Sequence, residues 1–221
     1  MKLNLSADEL LTTTRAVRRR LDTERPVSRA LLEECLDIAM QAPNGSNLNK
    51  WRWVIVDEPA KVRLLADQYR EAMKMAHGGD GTVPAQAFLD AGKGIPGYEK
   101  VLQTGFDLVE KLQSVPAILV PLMGGRPEKA PYATQAAMWA SVVPAVWNFM
   151  LALRERGLGS CWTTVALLRE REIAEILGIP MERYAQVGLF PVAYTIGTEF
   201  KRAWRKPVSE VLSYNDFEVR N

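Results

Sequence analysis

Four arginines fall within six residues, in Arg15-Ala16-Val17-Arg18-Arg19-Arg20. A guanidinium presents planar, bidentate donors, so such a cluster suits a phosphate; it suits a solvated basic face equally well. The chain carries 28 basic and 26 acidic residues, a net charge of +2. Any anion site must therefore come from local clustering, and a single small anion fits better than nucleic acid. The other reactive side chains offer little. His77 is the only histidine; it stands at an expected helix end beside Gly78, with no partner for acid–base work. Cys161 lies in Gly-Leu-Gly-Ser-Cys-Trp without a cation to lower its pKa, and reads as a buried thiol. Cys35 is far from it in sequence, so neither a disulfide framework nor a zinc site is expected. Gly92-Lys-Gly-Ile-Pro-Gly97 spells GxGxxG. A dinucleotide fingerprint needs a strand before it and an acid at the end of the next strand, and both are missing. With no nucleophile, acid–base pair or metal set in view, either the chain is no enzyme or a cofactor supplies the chemistry.

The elements that would hold these residues follow from spacing. Ser28 caps a helix running to about Met40, with Leu31, Leu32, Cys35, Ile38 and Ala39 on one face. Ala42 to Asn47 is dense in turn formers, and Trp51–Val56 is a strand. Pro59 opens a helix to about Ala76. Residues 78–97 hold six glycines and two prolines and read as an irregular loop, a lid or a disordered stretch. Helical spacing returns from Val101 to Leu112. Val115 to Met123 is a strand buried on both faces. A helix follows from about Ala133 to Arg156, stopped by Gly157-Leu158-Gly159, then a short strand from Ser160 to Thr164. Arg169–Leu177 is a helix, and Tyr184–Ile196 is mostly strand, where Pro191 argues for an edge or a bulge. The tail from Lys201 is extended. Helices and strands mix without a strict βαβ repeat, which indicates a single α+β domain over residues 1–221.

No charged residue occurs from Ala130 to Leu153. That length could span a bilayer, but Gln135, Ser141, Pro144 and Asn148 and the high alanine content favour a helix buried all round inside a protein or a dimer. No membrane association is expected. Met1 to Leu11 lacks the apolar run of a signal peptide, and with the sparse cysteines this points to the cytoplasm.

Four segments, in order, resemble the nitroreductase family of flavoproteins. Arg15-Ala-Val-Arg18, followed by Pro26-Val27, is similar to the family's Arg-Arg-Ser-Val-Arg opening. Ala42-Pro-Asn-Gly-Ser-Asn-Leu-Asn-Lys-Trp51 resembles its Ala-Pro-Ser-Ser-x-Asn-x-Gln-Pro-Trp. Gly157-Leu-Gly-Ser-Cys-Trp162 is close to the family's own wording, and Arg205-Lys-Pro-Val-Ser-Glu resembles its closing Arg-Lys-Pro-Leu-Glu-Glu. The resemblance spans about Arg15 to Val211.

The resemblance implies a central mixed or antiparallel sheet surrounded by helices, in an intertwined homodimer with FMN at the subunit interface. Position by position, it assigns Arg15 and Arg18 to the flavin phosphate and ring edge, with Arg19 in place of Arg18 if the register shifts by one. Ala16 replaces the family's serine and leaves only backbone there. Pro43, Asn44, Gly45 and Asn47 would lie against the flavin from the partner, Trp162, Thr163 and Thr164 would cross its other face, and Arg205 would bind phosphate. Asn49-Lys50 departs from Gln-Pro, and Ala203 stands where some members carry a second cation. The implied reaction passes hydride from NADH or NADPH through flavin N5 to a nitroaromatic, quinone or activated alkene, by ping-pong kinetics. Phe88 and Tyr98, within or beside the 78–97 lid, are candidate acceptor contacts. Reductive dehalogenation, flavin breakdown and plain flavin binding are the competing readings.

Overall fold

The computed structural model describes residues 2–78 and 85–217. In chain order the elements are α1 (Ala7–Thr13), β1 (Leu21–Asp22), α2 (Arg29–Ala39), β2 (Trp51–Val56), α3 (Pro59–His77), α4 (Gln86–Ala91), α5 (Tyr98–Lys111), β3 (Ala117–Gly124), α6 (Tyr132–Glu155), β4 (Leu158–Ser160), α7 (Glu170–Leu177), β5 (Tyr184–Gln186), β6 (Phe190–Thr195) and α8 (Val208–Val211).

The sheet is built on β3, whose residues are apolar throughout and buried from Ala117 to Met123. Strand β2 pairs along one edge, from Trp51 opposite Met123 to Val56 opposite Ile118. The other edge is shared by β5, at Leu122 to Gly124, and β6, at Ala117 to Leu119. Strands β1 and β4 both pair with β6, and every named pair is antiparallel. Alternation along β3 sorts two cores. Ile118, Val120 and Leu122 face Leu65, Tyr69, Phe106, Leu108 and Ile173 of α3, α5 and α7. Ala117, Leu119 and Met123 face Leu32 and Cys35 of α2 and Phe149 and Leu153 of α6. The result is a sheet between two helical layers, the α+β arrangement expected.

Several boundaries follow from local chemistry. The Ser28 side chain accepts from the Leu31 N–H, as an N-cap should. Pro59 occupies the first turn of α3, and Gly178 closes α7 in the left-handed region at φ +67°. Elsewhere the sequence reading needs correction. The strand after α6 is Leu158–Ser160, not Ser160–Thr164. Gly159, read as a stop signal, lies inside it because a Cβ there would stand 2.8 Å from Val17 Cβ and 2.7 Å from Thr195 Cγ2. Strand β6 is not an edge. It lies against both β3 and β4, with Pro191 opposite Ile118 and one residue beyond Val192, the last partner of β4. The expected break falls instead at Val187–Leu189, where Gly188 has φ +150°. Within 78–97, Gln86–Ala91 is helical rather than irregular; residues 79–84 of the expected lid lie outside the described residues.

Helix α6 is long and apolar enough to cross a membrane by length and composition. Its C-terminal half is core, with Val142, Ala145, Val146, Phe149 and Leu153 buried. The N-terminal half is not buried all round in a single chain: Ala133, Ala136, Ala137 and Ala140 are exposed and Tyr132 is 85% exposed.

Candidate functional site

Arg15 follows the end of α1, and its neighbours are pinned to β4. The Val17 N–H donates to the Ser160 carbonyl at 2.8 Å, and Ala16 bridges Ser160 in parallel fashion. Arg15 Nη1 donates to the Lys201 carbonyl at 3.0 Å, which draws the C-terminal segment alongside. Arg15, Arg205 and Lys206 then line one cleft of about 580 Å³ with Tyr98, Trp204, Ile95 and Pro96, and among the described residues no carboxylate lines it. Two arginines 190 positions apart in sequence (205 − 15) are thus brought to one anion-ready cavity.

The remaining arginines of the cluster go elsewhere. Arg18 turns inward, 3.5 Å from Thr104 Oγ1 and near enough to Cys161 to act on its thiol. Arg19 pairs with Asp107. Arg20 clamps the chain after β6, donating to the carbonyls of Ile196, Gly197 and Glu199 at 2.7, 2.5 and 3.0 Å. Burial pushes the Cys161 thiol up to about 11, only partly opposed by Arg18, so it is a protonated core residue at neutral pH.

The 43–49 loop is a second constellation. Pro43, Asn44, Gly45 and Asn47 lie on a tight turn in which Ser46, Asn47 and Asn49 all have φ between 50° and 53°. Left-handed backbone at three non-glycine residues stores strain. Asn44 offsets it, its Oδ1 accepting the Asn49 N–H at 2.9 Å and its Nδ2 donating to Asn49 Oδ1 at 3.1 Å. The Gly45 N–H donates to Ser141 Oγ of α6 at 2.9 Å. Pro43 and Asn47 are exposed. Asn44, Gly45, Trp51, Met138 and Ser141 line a separate cleft of about 440 Å³ beside the exposed end of α6. It shares no residue with the arginine cleft.

The third segment is partly committed to the fold. Trp162 Nε1 donates to the Val187 carbonyl at 2.9 Å and its ring packs on Phe190. Thr163 is buried, and both its N–H and its hydroxyl donate to the Leu189 carbonyl. Thr164 is exposed. Of the two acceptor candidates, Tyr98 lines the arginine cleft while Phe88 packs against His77 at a tilt, ring centroids 4.5 Å apart. The sequence reading missed Trp204, Lys206 and Ser141; the first two adjoin Arg205, and that adjacency was the available signal.

His77 sits between Phe88 and Phe106 and accepts the Ala85 N–H on Nδ1 at 3.3 Å, which tethers the start of α4. Burial lowers its pKa from 6.5. A base whose folded pKa is depressed binds fewer protons folded than unfolded just below pH 6.5, so the stability it lends is full above that pH and declines as pH falls. We expect an NMR titration of His77 to fall below 6.5 and Ala85 amide exchange to accelerate once the ring is protonated. A His77 midpoint at or above 6.5 would remove the tether.

The sheet between helical layers, with an arginine cleft and a strained loop on a separate cleft, is a nitroreductase-like fold. The chain belongs to the Nitroreductase family, whose model matches residues 11–194. It is 28% identical over 159 residues, 70% of this chain and 71% of the relative, to an NADH dehydrogenase of Thermus thermophilus. Crystal structures share the fold: a nitroreductase-like family protein from Bacillus cereus (TM-score 0.66, 22% identity, 98% of this chain and 100% of that one); an iodotyrosine deiodinase bound to FMN and 3-iodo-L-tyrosine (TM-score 0.66, 24% identity, 96% and 100%); and an FMN- and NADPH-dependent nitroreductase from Sphigopyxis sp. strain HMH (TM-score 0.67, 23% identity, 96% and 100%).

Proposed function

We propose that this chain is an FMN-dependent oxidoreductase that works as a homodimer, taking hydride from NADH or NADPH and passing it to a small electron-poor acceptor such as a quinone, nitroaromatic or activated alkene. The observation that carries this reading is that Arg15 and Arg205 line one cleft and Asn44 and Gly45 another, and the two clefts have no described residue in common. A second copy of the chain supplies the missing half to each. The exposed alanine face of α6 adjoins the loop cleft, which gives the second copy an apolar surface to cover.

The residues fit FMN. Arg15, Arg205 and Lys206 offer charge-assisted donors for a phosphate dianion, and among the described residues no carboxylate lines their cleft. The strained 43–49 loop is held rigid from within by Asn44 and from α6 by Ser141, so it can lie against a flat ring without further ordering. When bound, FMN supplies two-electron chemistry between a reduced nicotinamide and an acceptor. Thr163 spends its N–H on Leu189, so in this segment the contact to the ring falls to the exposed Thr164. Tyr98, Ile95 and Pro96 line the arginine cleft, which supports reading the 85–98 segment as the substrate entry, with Tyr98 rather than Phe88 as the contact. A cytoplasmic location and independence from membranes complete the reading.

Subunit complementation tests it. One chain carries Arg15→Ala with Arg205→Ala, the other Asn44→Ala with Gly45→Val, each with its own affinity tag. Either homodimer should be nearly inactive with NADH and a quinone. The tag-purified heterodimer regains one intact site of two, roughly half the parental activity. No recovery in a folded heterodimer would place the whole site within one chain.

A further inference from the structure

Lys50, Arg52 and Arg183 converge on a cleft of about 400 Å³ that opens from the loop cleft, with Leu48, Lys50, Trp51, Gly124 and Gly125 common to both. Three strands place them. Lys50 immediately precedes β2, and its carbonyl accepts the Gly124 N–H at 2.7 Å. Arg52 lies in β2 opposite Leu122. Arg183 immediately precedes β5, and its carbonyl accepts the Gly125 N–H at 2.7 Å. Gly124 pairs with Tyr184 on its other side, so Lys50 and Tyr184 stand two strand steps apart, roughly 10 Å. Long cationic side chains cross that gap easily.

The floor between them is bare backbone. A Cβ on Gly124 would lie 2.8 Å from the Lys50 carbonyl oxygen, and Gly125 has φ +94°. Nothing larger than glycine fits, so the cleft stays open between the cations. Their partners are neutral: Arg52 Nη1 donates to the Trp51 carbonyl at 3.0 Å, and the Arg183 guanidinium lies over the Tyr184 ring, 5.8 Å from its centroid. Among the described residues none of the three is ion-paired, and neither cleft is lined by a carboxylate. The neighbouring Arg126 shows the contrast, since Glu128 and Glu170 hold it at 2.7 Å each. Glu182 is the acid next to Arg183 in sequence and does not line the cleft. Like charges placed together around a concave backbone floor raise the local potential and attract an oxyanion.

We propose that Lys50, Arg52 and Arg183 form a subsite for an anionic group, phosphate or carboxylate, carried by the substrate that binds at the adjoining Asn44–Gly45 cleft. This rests on the oxidoreductase reading above. Two sources share the chemistry: the 2′-phosphate that distinguishes NADPH from NADH, and an acidic substituent on the acceptor. Lys50 is the hinge between the two clefts, so an anion held there stays within one side-chain length of the loop face. Arginine supplies the bidentate grip and lysine a point charge.

The test uses FMN-loaded protein and the double variant Arg52→Gln/Arg183→Gln. Neither position belongs to the flavin-binding set. kcat/KM is measured for NADPH and NADH with one neutral quinone, then for 4-nitrobenzoate and 4-nitrobenzyl alcohol with one donor. The variant should lose about tenfold on an anionic member and less than about twofold on its counterpart. Loss confined to NADPH assigns the 2′-phosphate; loss confined to 4-nitrobenzoate assigns the acceptor carboxylate. The wild-type preference should also shrink as salt is raised. Equal effects on both members of each pair, or none, overturn the subsite. FMN content and bleaching by NADH are read first on the same preparation, and their absence overturns the oxidoreductase reading instead. The subsite is then decided by titrating adenosine 2′,5′-bisphosphate and 4-nitrobenzoate into isotope-labelled protein. Shifts at the Gly124 and Gly125 amides that vanish in the double variant sustain it, and no shifts overturn it.

Discussion

Replacing Arg15 and Arg205 together by alanine should leave a folded protein that no longer retains FMN. Each guanidinium would contribute a charge-assisted bond of about 1.5–3 kcal/mol to the phosphate. Arg15 is half-buried and Arg205 exposed, so the lower end applies. Two such losses, about 3 kcal/mol, weaken binding by roughly a hundredfold. Visible absorbance of the purified variant and fluorescence titration with FMN measure the effect, with circular dichroism as the check on folding. Arg19→Ala is the matched control. Arg19 is held by Asp107 away from the cleft, so its removal should change FMN affinity little. A yellow, fully loaded Arg15→Ala/Arg205→Ala protein beside a colourless Arg19→Ala would move the phosphate site to Arg19.

Phe149→Ala should be the most damaging single core truncation. Phe149 is fully buried in α6 and packs in the core between α2, α6 and β3. Removing a ring from such a position costs about 3–5 kcal/mol, from lost transfer energy and the cavity left behind. For a chain of this size that lowers Tm by roughly 6–20 °C, out of a total stability on the order of 5–15 kcal/mol. Phe149→Leu keeps most of the volume and should lose much less. Thermal denaturation of both variants decides it. A loss under about 1 kcal/mol for the alanine variant would show that the second half of α6 is loosely seated, contrary to the burial of Val146, Phe149 and Leu153.

The elements legible in the sequence are those fixed by local chemistry. Ser28 and Pro59 announce helix starts whatever the surroundings, and Trp51–Val56 is aromatic and β-branched as a strand is. The misplaced elements are decided by distant neighbours. Gly159 reads as punctuation until Val17 and Thr195 are seen to crowd it. Pro191 reads as an edge residue until β3 and β4 are found on either side of its strand. The same division holds at the site. Arg15 and Arg205 each matched a motif, but only the fold brings them into one cleft. Of the arginine cluster, spacing alone made Arg18, Arg19 and Arg20 equals of Arg15; Cys161, Asp107 and the carbonyls after β6 separate them. The uncharged stretch of α6 was plain in composition, yet which half is buried depends on where α2 and the sheet end.

The central position of β3 also sets an order of events during synthesis. One edge of this apolar strand can be covered early, because β2 precedes it in the chain. The other edge waits for β5 and β6, and β6 ends at Thr195, 71 residues after Gly124 (195 − 124). At about 5–20 residues per second the ribosome needs roughly 4–14 seconds to deliver it. Throughout that interval an unpaired, almost wholly hydrophobic strand edge stands open on the nascent chain, and the alanine-rich α6 emerges into the same gap. The feature that makes the finished sheet so well buried therefore makes its assembly dependent on whatever shields that edge until the last strand arrives.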